Sequence, residues 1–452
     1  MINELVKFFE NKKVLVLGFG VEGKSTYKFI RKHLKEQIIY IADKNENLLS
    51  LNKELQEDKN IVLITGENYL SNLNEYDIIM KTPGITFKDI DISNIKDKIY
   101  SELELLLMVD SKNMIGITGT KGKSTTTTLI YNVIKNQKDN TYLVGNIGIP
   151  IFDELENFDD DTTVVVEMSS HQLEFTNISP HIGIILNLYQ DHLDHAGSVK
   201  HYHECKMHMF DYQKENDIAI YCEDNENLRN IMNEKDYHQK IFKVKKEYDD
   251  EAVSLKDNKV YYNNEVLYID DGKRKLLGDH NLENIMVVML VAKLLDLDLV
   301  KAKEVIDSFE GLEHRLELVG KYNDIIFYND TIATIPEATI SGIKALKNVN
   351  TLIFGGMDRG IDYKPLEDYL RSSNVDNLIC MPSTGTKVGK LLLDTDKNII
   401  FVDTLEEAVK KAKEVTKKDM ICLLSPSAPS YEYFKNYIEK GNKYKELVKN
   451  NE

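Results

Sequence analysis

Short apolar, β-branched runs alternate along this chain with longer stretches of helical spacing. In the first block, the apolar runs lie at residues 14–17, 38–42, 61–65 and 77–81. Stretches with helical periodicity follow at residues 25–34 and 102–109. Strands that alternate with helices in this way predict a parallel sheet joined by crossover helices.

The same alternation continues in two further blocks. In the second, the predicted strands lie at 114–118, 163–166 and 182–188, and the predicted helices at 278–295 and 300–309. Between residues 221 and 271 the pattern predicts strands and turns. The third block has apolar runs near 325–328, 351–354, 378–381, 399–402 and 420–424. We therefore predict an α/β protein with domains at 1–110, 111–311 and 312–452: two Rossmann-like domains flanking a central domain with a mostly parallel sheet.

Length and charge agree with this organisation and narrow the choice of partners. A chain of 452 residues is too long for one ordinary core. Its net charge of −17 argues against a nucleic-acid or acidic-membrane surface. The four cysteines lie far apart, which is typical of reduced thiols in a cytoplasmic protein. No apolar run reaches membrane-spanning length, and the first residues contain no secretory signal.

A phosphate-binding loop is predicted between the strand at 114–118 and the helix that follows it. The segment GTKGKS supplies backbone N–H groups and a helix N-terminus, both of which attract phosphate. Lys123 would reach the terminal phosphates, and the hydroxyl of Ser124 would bind Mg²⁺. The strict P-loop motif fails because Ile117 occupies its first glycine position. A surface turn before an amphipathic helix is the alternative.

Two further residues are candidates for a metal site at the same sheet edge. Glu167 and His192 each follow an apolar run, and parallel strands end on the edge where Lys123 lies. Taken alone, Glu167 could cap a helix or form a salt bridge, and His192 could be an ordinary strand-end residue. Histidines between residues 192 and 208 also raise a zinc hypothesis, but their spacing matches no standard zinc motif.

A second glycine turn lies near the start of the chain. Gly18, Gly20 and Gly23 follow the first strand, and Asp43 ends the next one. This arrangement meets the dinucleotide fingerprint, in which a helix N-terminus holds a diphosphate. By itself it is compatible with a nicotinamide-dependent oxidoreductase. The loop at 119–124 by itself is compatible with a regulatory nucleotide hydrolase.

Longer segments in all three blocks resemble the Mur ligase family. They are GITGTKGKST, GNIGIP, VEMSSHQLE, NLYQDHLDH, GDHNLEN, GLEHRLELV, NDTIAT, GGMDRGIDY and SPSAPSYEYFKNYIEKGNKYKELV, in the family's order. The resemblance implies a UDP-binding domain, a central ATPase domain and a C-terminal amino-acid-binding domain that closes over the site. It is strongest to members that join D-glutamate to UDP-N-acetylmuramoyl-L-alanine, an ATP-dependent cytoplasmic step of peptidoglycan synthesis that passes through an acyl phosphate.

The resemblance also assigns roles to individual residues. For ATP it implies Gly119, Thr120, Lys121, Gly122, Lys123, Ser124, Thr125, Asn281, Asn284, His314, Arg315 and Asp330. For the UDP substrate it implies Gly18, Phe19, Gly20, Val21, Asp43, Lys44, Thr82, Pro83, Gly84 and Asn146. For glutamate it implies Thr334, Arg359, Ser430 and Tyr437. For catalysis and Mg²⁺ it implies Lys123, Ser124, Glu167, His192 and Lys206.

Lys206 has a special role in this scheme. The resemblance implies that it carries a carbamate, which would convert the lysine into an oxygen ligand for a second Mg²⁺. Read without the resemblance, it is a solvated helix lysine. The expected enzyme is a monomer without nucleic-acid or membrane partners.

The glutamate pocket departs from the family pattern at three positions. Arg359 and Ile332 stand where lysines occur in the family, and Tyr437 replaces a phenylalanine. A sister ligase that adds another amino acid, such as L-glutamate, therefore stays open as an alternative.

Overall fold

The computed structural model describes residues 1–87, 90–190, 198–276, 278–358, 362–430 and 433–450. They form an α/β fold with three sheets, rich in parallel strands, as the sequence predicts. Within these residues, no helix has both the length and the apolar character needed to cross a membrane.

The first sheet is parallel and has the strand order β3-β2-β1-β4-β5. Its strands are β1 (Val14–Leu17), β2 (Ile39–Asp43), β3 (Ile61–Thr65), β4 (Ile78–Lys81) and β5 (Ile99–Tyr100). Its helices are α1 (Ile2–Phe9), α2 (Val21–His33), α3 (Leu48–Leu51), α4 (Lys53–Glu57) and α5 (Glu102–Asp110). Leu17 pairs in register with Ala42 and Lys81, so the glycine turn, Asp43 and Thr82 share one edge.

The second sheet has the order β14-β13-β12-β11-β10-β9-β6-β8-β7. Its strands are β6 (Met114–Thr118), β7 (Thr141–Gly145), β8 (Thr163–Glu167), β9 (Ile182–Ile185), β10 (Ile218–Cys222), β11 (Lys240–Lys245), β12 (Val253–Lys256), β13 (Lys259–Tyr262) and β14 (Glu265–Ile269). Its helices are α6 (Lys123–Lys135), α7 (Ile151–Glu154), α8 (Ser170–Leu173), α9 (Val199–Asp211), α10 (Glu226–Glu234), α11 (Asp279–Leu294) and α12 (Leu299–Ser308). Only the β12-β13-β14 pairings are antiparallel, so the sheet is mostly parallel as predicted.

Helix α10 lies in a segment for which the sequence pattern predicts strands and turns, and that prediction is wrong here. The side chain of Asn225 caps the helix by accepting a hydrogen bond from the N–H of Leu228. Leu228 and Met232, four residues apart, are buried on one face. A single short apolar stripe in a polar segment was too weak a periodic signal.

The third sheet has the order β15-β16-β20-β17-β18-β19. Its strands are β15 (Glu317–Tyr322), β16 (Ile325–Asn329), β17 (Val349–Gly356), β18 (Asn377–Ser383), β19 (Asn398–Phe401) and β20 (Ile421–Leu424). Its helices are α13 (Pro336–Leu346), α14 (Lys364–Ser372), α15 (Thr384–Leu391), α16 (Leu405–Val415) and α17 (Tyr437–Lys449). Strand order reverses around β20, between β16 and β17, and ligands bind at such switch points in doubly wound sheets.

The chain forms two compact units, residues 1–274 with 279–307 and residues 275–278 with 308–452. The first unit contains two of the sheets, whose helices share a core: the ring of Phe152 lies 4.7 Å from that of Phe29 and 6.4 Å from that of Phe9. The domain boundaries near residues 110 and 311 stay predictions.

Glu102 joins α2, α5 and α7 inside the first unit and makes folding stability depend on pH. It is buried and accepts hydrogen bonds from Oγ1 of Thr26 (2.9 Å) and from the N–H of Phe152 (3.3 Å). Burial, reinforced by the charge of Glu22, raises the pKa of Glu102 from 4.5 to about 8. The folded protein therefore keeps this proton at pH values where the unfolded chain has lost it. The stabilisation is full below pH 4.5 and is lost as the pH rises through 8.

We expect Glu102→Gln to remove this pH dependence. By urea unfolding, the variant should be more stable than the parent at pH 9 by on the order of 3 kcal/mol, with little difference at pH 5. The exposed Glu75→Gln is the control and should leave the difference between the two pH values unchanged. An equal loss of stability from pH 5 to pH 9 in Glu102→Gln and the parent would contradict this account.

Candidate functional site

The loop between β6 and α6 has the backbone of a phosphate-binding turn. Gly119 and Gly122 adopt φ values of 151° and 85°, which favour glycine. A Cβ on Gly122 would also lie 2.9 Å from Oδ1 of Asn284. Asn284 therefore lies against the loop. Its Nδ2 donates a hydrogen bond to Oδ1 of Asn281 (3.0 Å), so both asparagines lie near the loop. The structure thus places these two predicted ATP residues beside the predicted phosphate loop.

Asn187 fixes the conformation of the loop and was missed by the sequence reasoning. Its Oδ1 accepts from the N–H groups of Thr120 (3.1 Å) and Lys121 (2.8 Å), and its Nδ2 donates to the carbonyl of Lys121 (3.0 Å). Asn187 is close because β9 pairs with β6, with Ile185 opposite Thr118. The available signal was a polar residue just after a buried run that ends on this edge.

Lys123 and the first turn of α6 complete the loop. Nζ of Lys123 donates to the carbonyls of Gly119 (2.8 Å) and Thr120 (3.1 Å), so the ammonium group lies over the loop. Ser124 and Thr125 follow and are buried. Because the helix N-terminus and this ammonium group both carry positive potential, the site is suited to a polyphosphate.

Glu167 ends β8 and lies beside β6, with Ile117 opposite it in register. Its side chain is 1 % exposed, and Oε1 accepts a hydrogen bond from Nδ2 of Asn146 (2.7 Å). Oε2 is buried and has no hydrogen-bond partner among the residues that the structure describes. Because a buried carboxylate oxygen is costly without a partner, this atom fits a cation ligand. Asn146, predicted to contact the UDP substrate, therefore lies against the predicted metal residue.

Lys206 lies in α9, and its ammonium group reaches Thr118, where the phosphate loop begins. It is 1 % exposed, its Nζ is 3.3 Å from Oγ1 of Thr118, and it lies 4.8 Å from the ring centroid of Tyr202. The hydroxyl of Thr118 donates to the carbonyl of Met168, next to Glu167 (2.7 Å). The solvated-lysine interpretation is therefore wrong, and Lys206 approaches the strand ends that carry the loop and Glu167. His192 lies outside the described residues.

Within the described residues, no cluster of His, Cys, Asp or Glu could hold a metal ion by itself. Cys205 lies 3.6 Å from Nε2 of His201, but burial raises the pKa of its thiol to about 12. The described residues of this histidine-rich segment therefore form no zinc site by themselves.

The glycine turn after β1 is tightly packed. A Cβ on Gly18 would lie 2.1 Å from Oγ1 of Thr82, and a Cβ on Gly23 would lie 2.0 Å from the carbonyl of Gly18. Asp43 supports the turn because its Oδ2 accepts from the N–H of Phe19 (2.7 Å). The other predicted UDP contacts line the same edge: Gly20, Val21, Lys44, Pro83 and Gly84.

The second unit carries a separate polar cluster at the switch point of its sheet. Asp330 is buried and accepts from Oγ of Ser425 (2.8 Å) and from the N–H of Leu316 (3.2 Å). Burial raises its pKa to about 7 despite these bonds and the nearby charge of Arg315. The imidazole of His314 is also buried and stacks edge-on against Tyr437, with 6.0 Å between ring centroids.

The predicted glutamate residues belong to the same edge. Ser430 is buried and its Oγ has no hydrogen-bond partner among the described residues. Thr334 follows β16, one residue after Ala333, whose carbonyl accepts from the N–H of Ser427 (2.9 Å). Arg359 lies outside the described residues. The structure thus gathers Asp330, Ser430 and Tyr437 within one unit.

Three family models of Mur ligase domains match most of the chain. The MurD-like N-terminal domain matches residues 12–101, the middle domain 117–292 and the glutamate ligase domain 314–428. A protein named UDP-N-acetylmuramoylalanine–D-glutamate ligase from Clostridium kluyveri is 33 % identical over 99 % of this chain and 98 % of its own length. The chain belongs to the Mur ligase family. A protein with the same name from Acetivibrio thermocellus is also 33 % identical, over 99 % of this chain and 98 % of its own.

Solved structures of Mur ligases have the same fold. MurC from Thermotoga maritima is 18 % identical and gives a TM-score of 0.58 over 96 % of this chain and 99 % of its own. MurF from the same organism, in complex with ADP, is 17 % identical. It gives a TM-score of 0.57 over 97 % of this chain and 95 % of its own. Membership in the family accounts for both glycine loops. The oxidoreductase interpretation accounts only for the glycine turn after β1. The interpretation as a regulatory nucleotide hydrolase accounts only for the loop at 119–124.

Proposed function

We propose that this Mur ligase joins D-glutamate to UDP-N-acetylmuramoyl-L-alanine with the cleavage of ATP. The observation that carries the proposal is the convergence of the phosphate loop, Glu167 and Lys206 at one sheet edge. The near full-length likeness to proteins with this name supports the choice of substrates. The reaction consumes cytoplasmic ATP, so we place the enzyme in the cytoplasm and expect it to act as a monomer.

In the first step, the alanyl carboxylate attacks the γ-phosphorus of ATP, the bond to the β–γ bridging oxygen breaks, and ADP leaves. Two anions must approach each other in this step, which requires positive charge at fixed positions. Lys123 is held over the loop by two carbonyls and can turn its ammonium group to the terminal phosphates. The loop N–H groups that Asn187 does not engage remain for the other phosphate oxygens.

In the second step, the amine of glutamate attacks the acyl phosphate, the C–O bond to phosphate breaks, and the amide forms. The amine must lose a proton, which a base or a water molecule near the metal site would accept. Asp330 is assigned to the nucleotide. Arg359, Thr334, Ser430 and Tyr437 would hold the amino acid. His314 and Arg315 would contact the nucleotide.

When bound, Mg²⁺ would neutralise phosphate charge and polarise the transferring group. Glu167 Oε2, Ser124 and His192 are the groups that would hold it. A carbamate on Lys206 would add a further anionic oxygen. Only the uncharged form of an amine reacts with CO₂. Nζ attacks the carbon of CO₂ and releases one proton.

The test is phosphate release from ATP and Mg²⁺ in the presence of UDP-N-acetylmuramoyl-L-alanine. D-glutamate, L-glutamate, L-alanine, lysine and diaminopimelate are added in turn, and each reaction is repeated without the UDP substrate. We expect release that requires both D-glutamate and the UDP substrate. Dependence on another amino acid would identify a sister ligase, and release without any amino acid would contradict the ligase proposal.

A further inference from the structure

Lys440 is a buried cation at the switch point of the third sheet, and nothing in the preceding assignment uses it. It lies in the first turn of α17 and is 2 % exposed. Its Nζ donates to the carbonyl of Gly355 at the end of β17 (3.0 Å). No carboxylate in the described part of the chain lies within ion-pair distance of this ammonium group. A lysine in such a place is costly unless a ligand supplies the opposite charge.

Neighbouring contacts place the start of α17, which carries both Lys440 and Tyr437, over the end of β16. A Cβ on the next residue, Gly441, would lie 2.2 Å from Nδ1 of His314 and 2.6 Å from Oγ1 of Thr331. Helix α17 therefore passes directly over the end of β16. Tyr437 precedes Lys440 by three residues, so the two side chains share one face of the helix.

Hydroxyl groups without a hydrogen-bond partner among the described residues lie in the loop after β20, close to the end of β17. The loop after β20 packs on the end of β17, since the N–H of Gly355 donates to the carbonyl of Pro426 (2.9 Å) and that of Met357 to Pro429 (3.0 Å). Ser427 and Ser430 flank this contact. Their hydroxyl groups are buried without hydrogen-bond partners among the described residues. The ammonium group of Lys440 and these two hydroxyl groups therefore border the same end of β17, and a carboxylate is a ligand that can accept from both kinds of donor.

Two properties show which carboxylate fits. Burial lowers the pKa of Lys440 from 10.5 to about 7, so an approaching anion would draw the lysine into its charged form. The attacking amine shares a carbon with the α-carboxylate and must face out of the pocket to react. The side-chain carboxylate is the group farthest from that amine and therefore reaches deepest.

We propose that Lys440 binds the side-chain carboxylate of the incoming glutamate and thereby selects glutamate over neutral amino acids. The inference rests on the proposed function and adds a specificity residue to it. One N–H of Lys440 would stay on Gly355, and the other two would face the carboxylate.

The test compares Lys440→Met, Lys440→Gln and Lys440→Arg with the parent enzyme, using D-glutamate and D-glutamine as acceptors. We expect the neutral variants to raise KM for D-glutamate by about 10- to 100-fold, the effect of losing one charge-assisted hydrogen bond. The KM values for ATP and the UDP substrate should not change. The preference for D-glutamate over D-glutamine should fall by the same factor, and Lys440→Arg should restore part of it.

Two controls separate recognition from a structural role. Lys443→Met, on the same helix with a partly exposed side chain, should behave as the parent enzyme. The thermal midpoint of Lys440→Met should not fall, because the substitution removes an unpaired buried charge. A lower kcat with unchanged KM for D-glutamate and an unchanged preference over D-glutamine would overturn the inference. A parent enzyme that does not use glutamate would overturn the proposed function, and the inference with it.

Discussion

Glu167→Gln is expected to inactivate the enzyme while making the protein without Mg²⁺ more stable. The substitution keeps the oxygen that accepts from Asn146 and removes a buried negative charge whose Oε2 has no partner among the described residues. We expect the free energy of unfolding to rise by about 1 kcal/mol in the absence of Mg²⁺. Phosphate release should fall on the order of 10²- to 10³-fold, because a proposed ligand of the Mg²⁺ that offsets phosphate charge is lost.

Urea unfolding with and without Mg²⁺ measures this effect directly. A cation that binds only the folded protein stabilises it in proportion to the logarithm of its concentration. The parent should therefore gain stability with added Mg²⁺, and Glu167→Gln should gain much less. Glu104→Gln is the matched control, since Glu104 is a buried carboxylate on α5 outside the site. It should keep both activity and the Mg²⁺ response. An undiminished Mg²⁺ response in Glu167→Gln would exclude Glu167 as a ligand.

Lys206→Ala is expected to reduce phosphate release by about 10³-fold. The substitution would remove the carbamate oxygen proposed to bind the second Mg²⁺, which stabilises the charge of the reacting groups. Formate or acetate should restore part of the activity, because a small carboxylate can occupy the space of the missing carbamate. Removal of CO₂ and bicarbonate should slow the parent enzyme and leave the variant unaffected. Steady-state rates across a titration of each acid provide the measurement.

Lys200→Ala is the matched control, because Lys200 lies on the same helix and is 87 % exposed. It should keep full activity and show no response to added acids. A Lys206→Ala variant that is fully active without added acid would exclude a carbamate role. A variant that is inactive and insensitive to every acid would indicate a packing role for the lysine against Tyr202 and Thr118.

Several parts of the site could be predicted because they are encoded by adjacent residues. The phosphate loop needs a strand, two glycines with positive φ, a lysine and a helix in direct succession, and residues 114–135 supply them in that order. The glycine turn after β1 is equally local. The fold class also followed from alternating apolar runs, because burial on both faces of a parallel sheet leaves a visible pattern.

Other parts depend on contacts between distant residues, which the residue pattern by itself does not show. Asn187 accepts hydrogen bonds from the phosphate loop because β9 pairs with β6. The residues next to Asn187 in the sequence do not indicate this contact. Lys206 on its own has the pattern of a solvated helix lysine, yet it is buried. Strand β15 is antiparallel to β16 and was also missed, since its residues are only partly buried and show no continuous apolar run.

By itself, the sequence determined the local chemistry of this protein: which residues form the two glycine loops, where strands and helices alternate, and which family the chain resembles. Only the tertiary structure decided which polar groups lose contact with water. Glu167 Oε2 and the ammonium group of Lys440 are buried by residues far away in the chain. The cost of burying a charged group without an opposite charge depends on all its neighbours in space, and we propose that this cost marks the places where ligands bind.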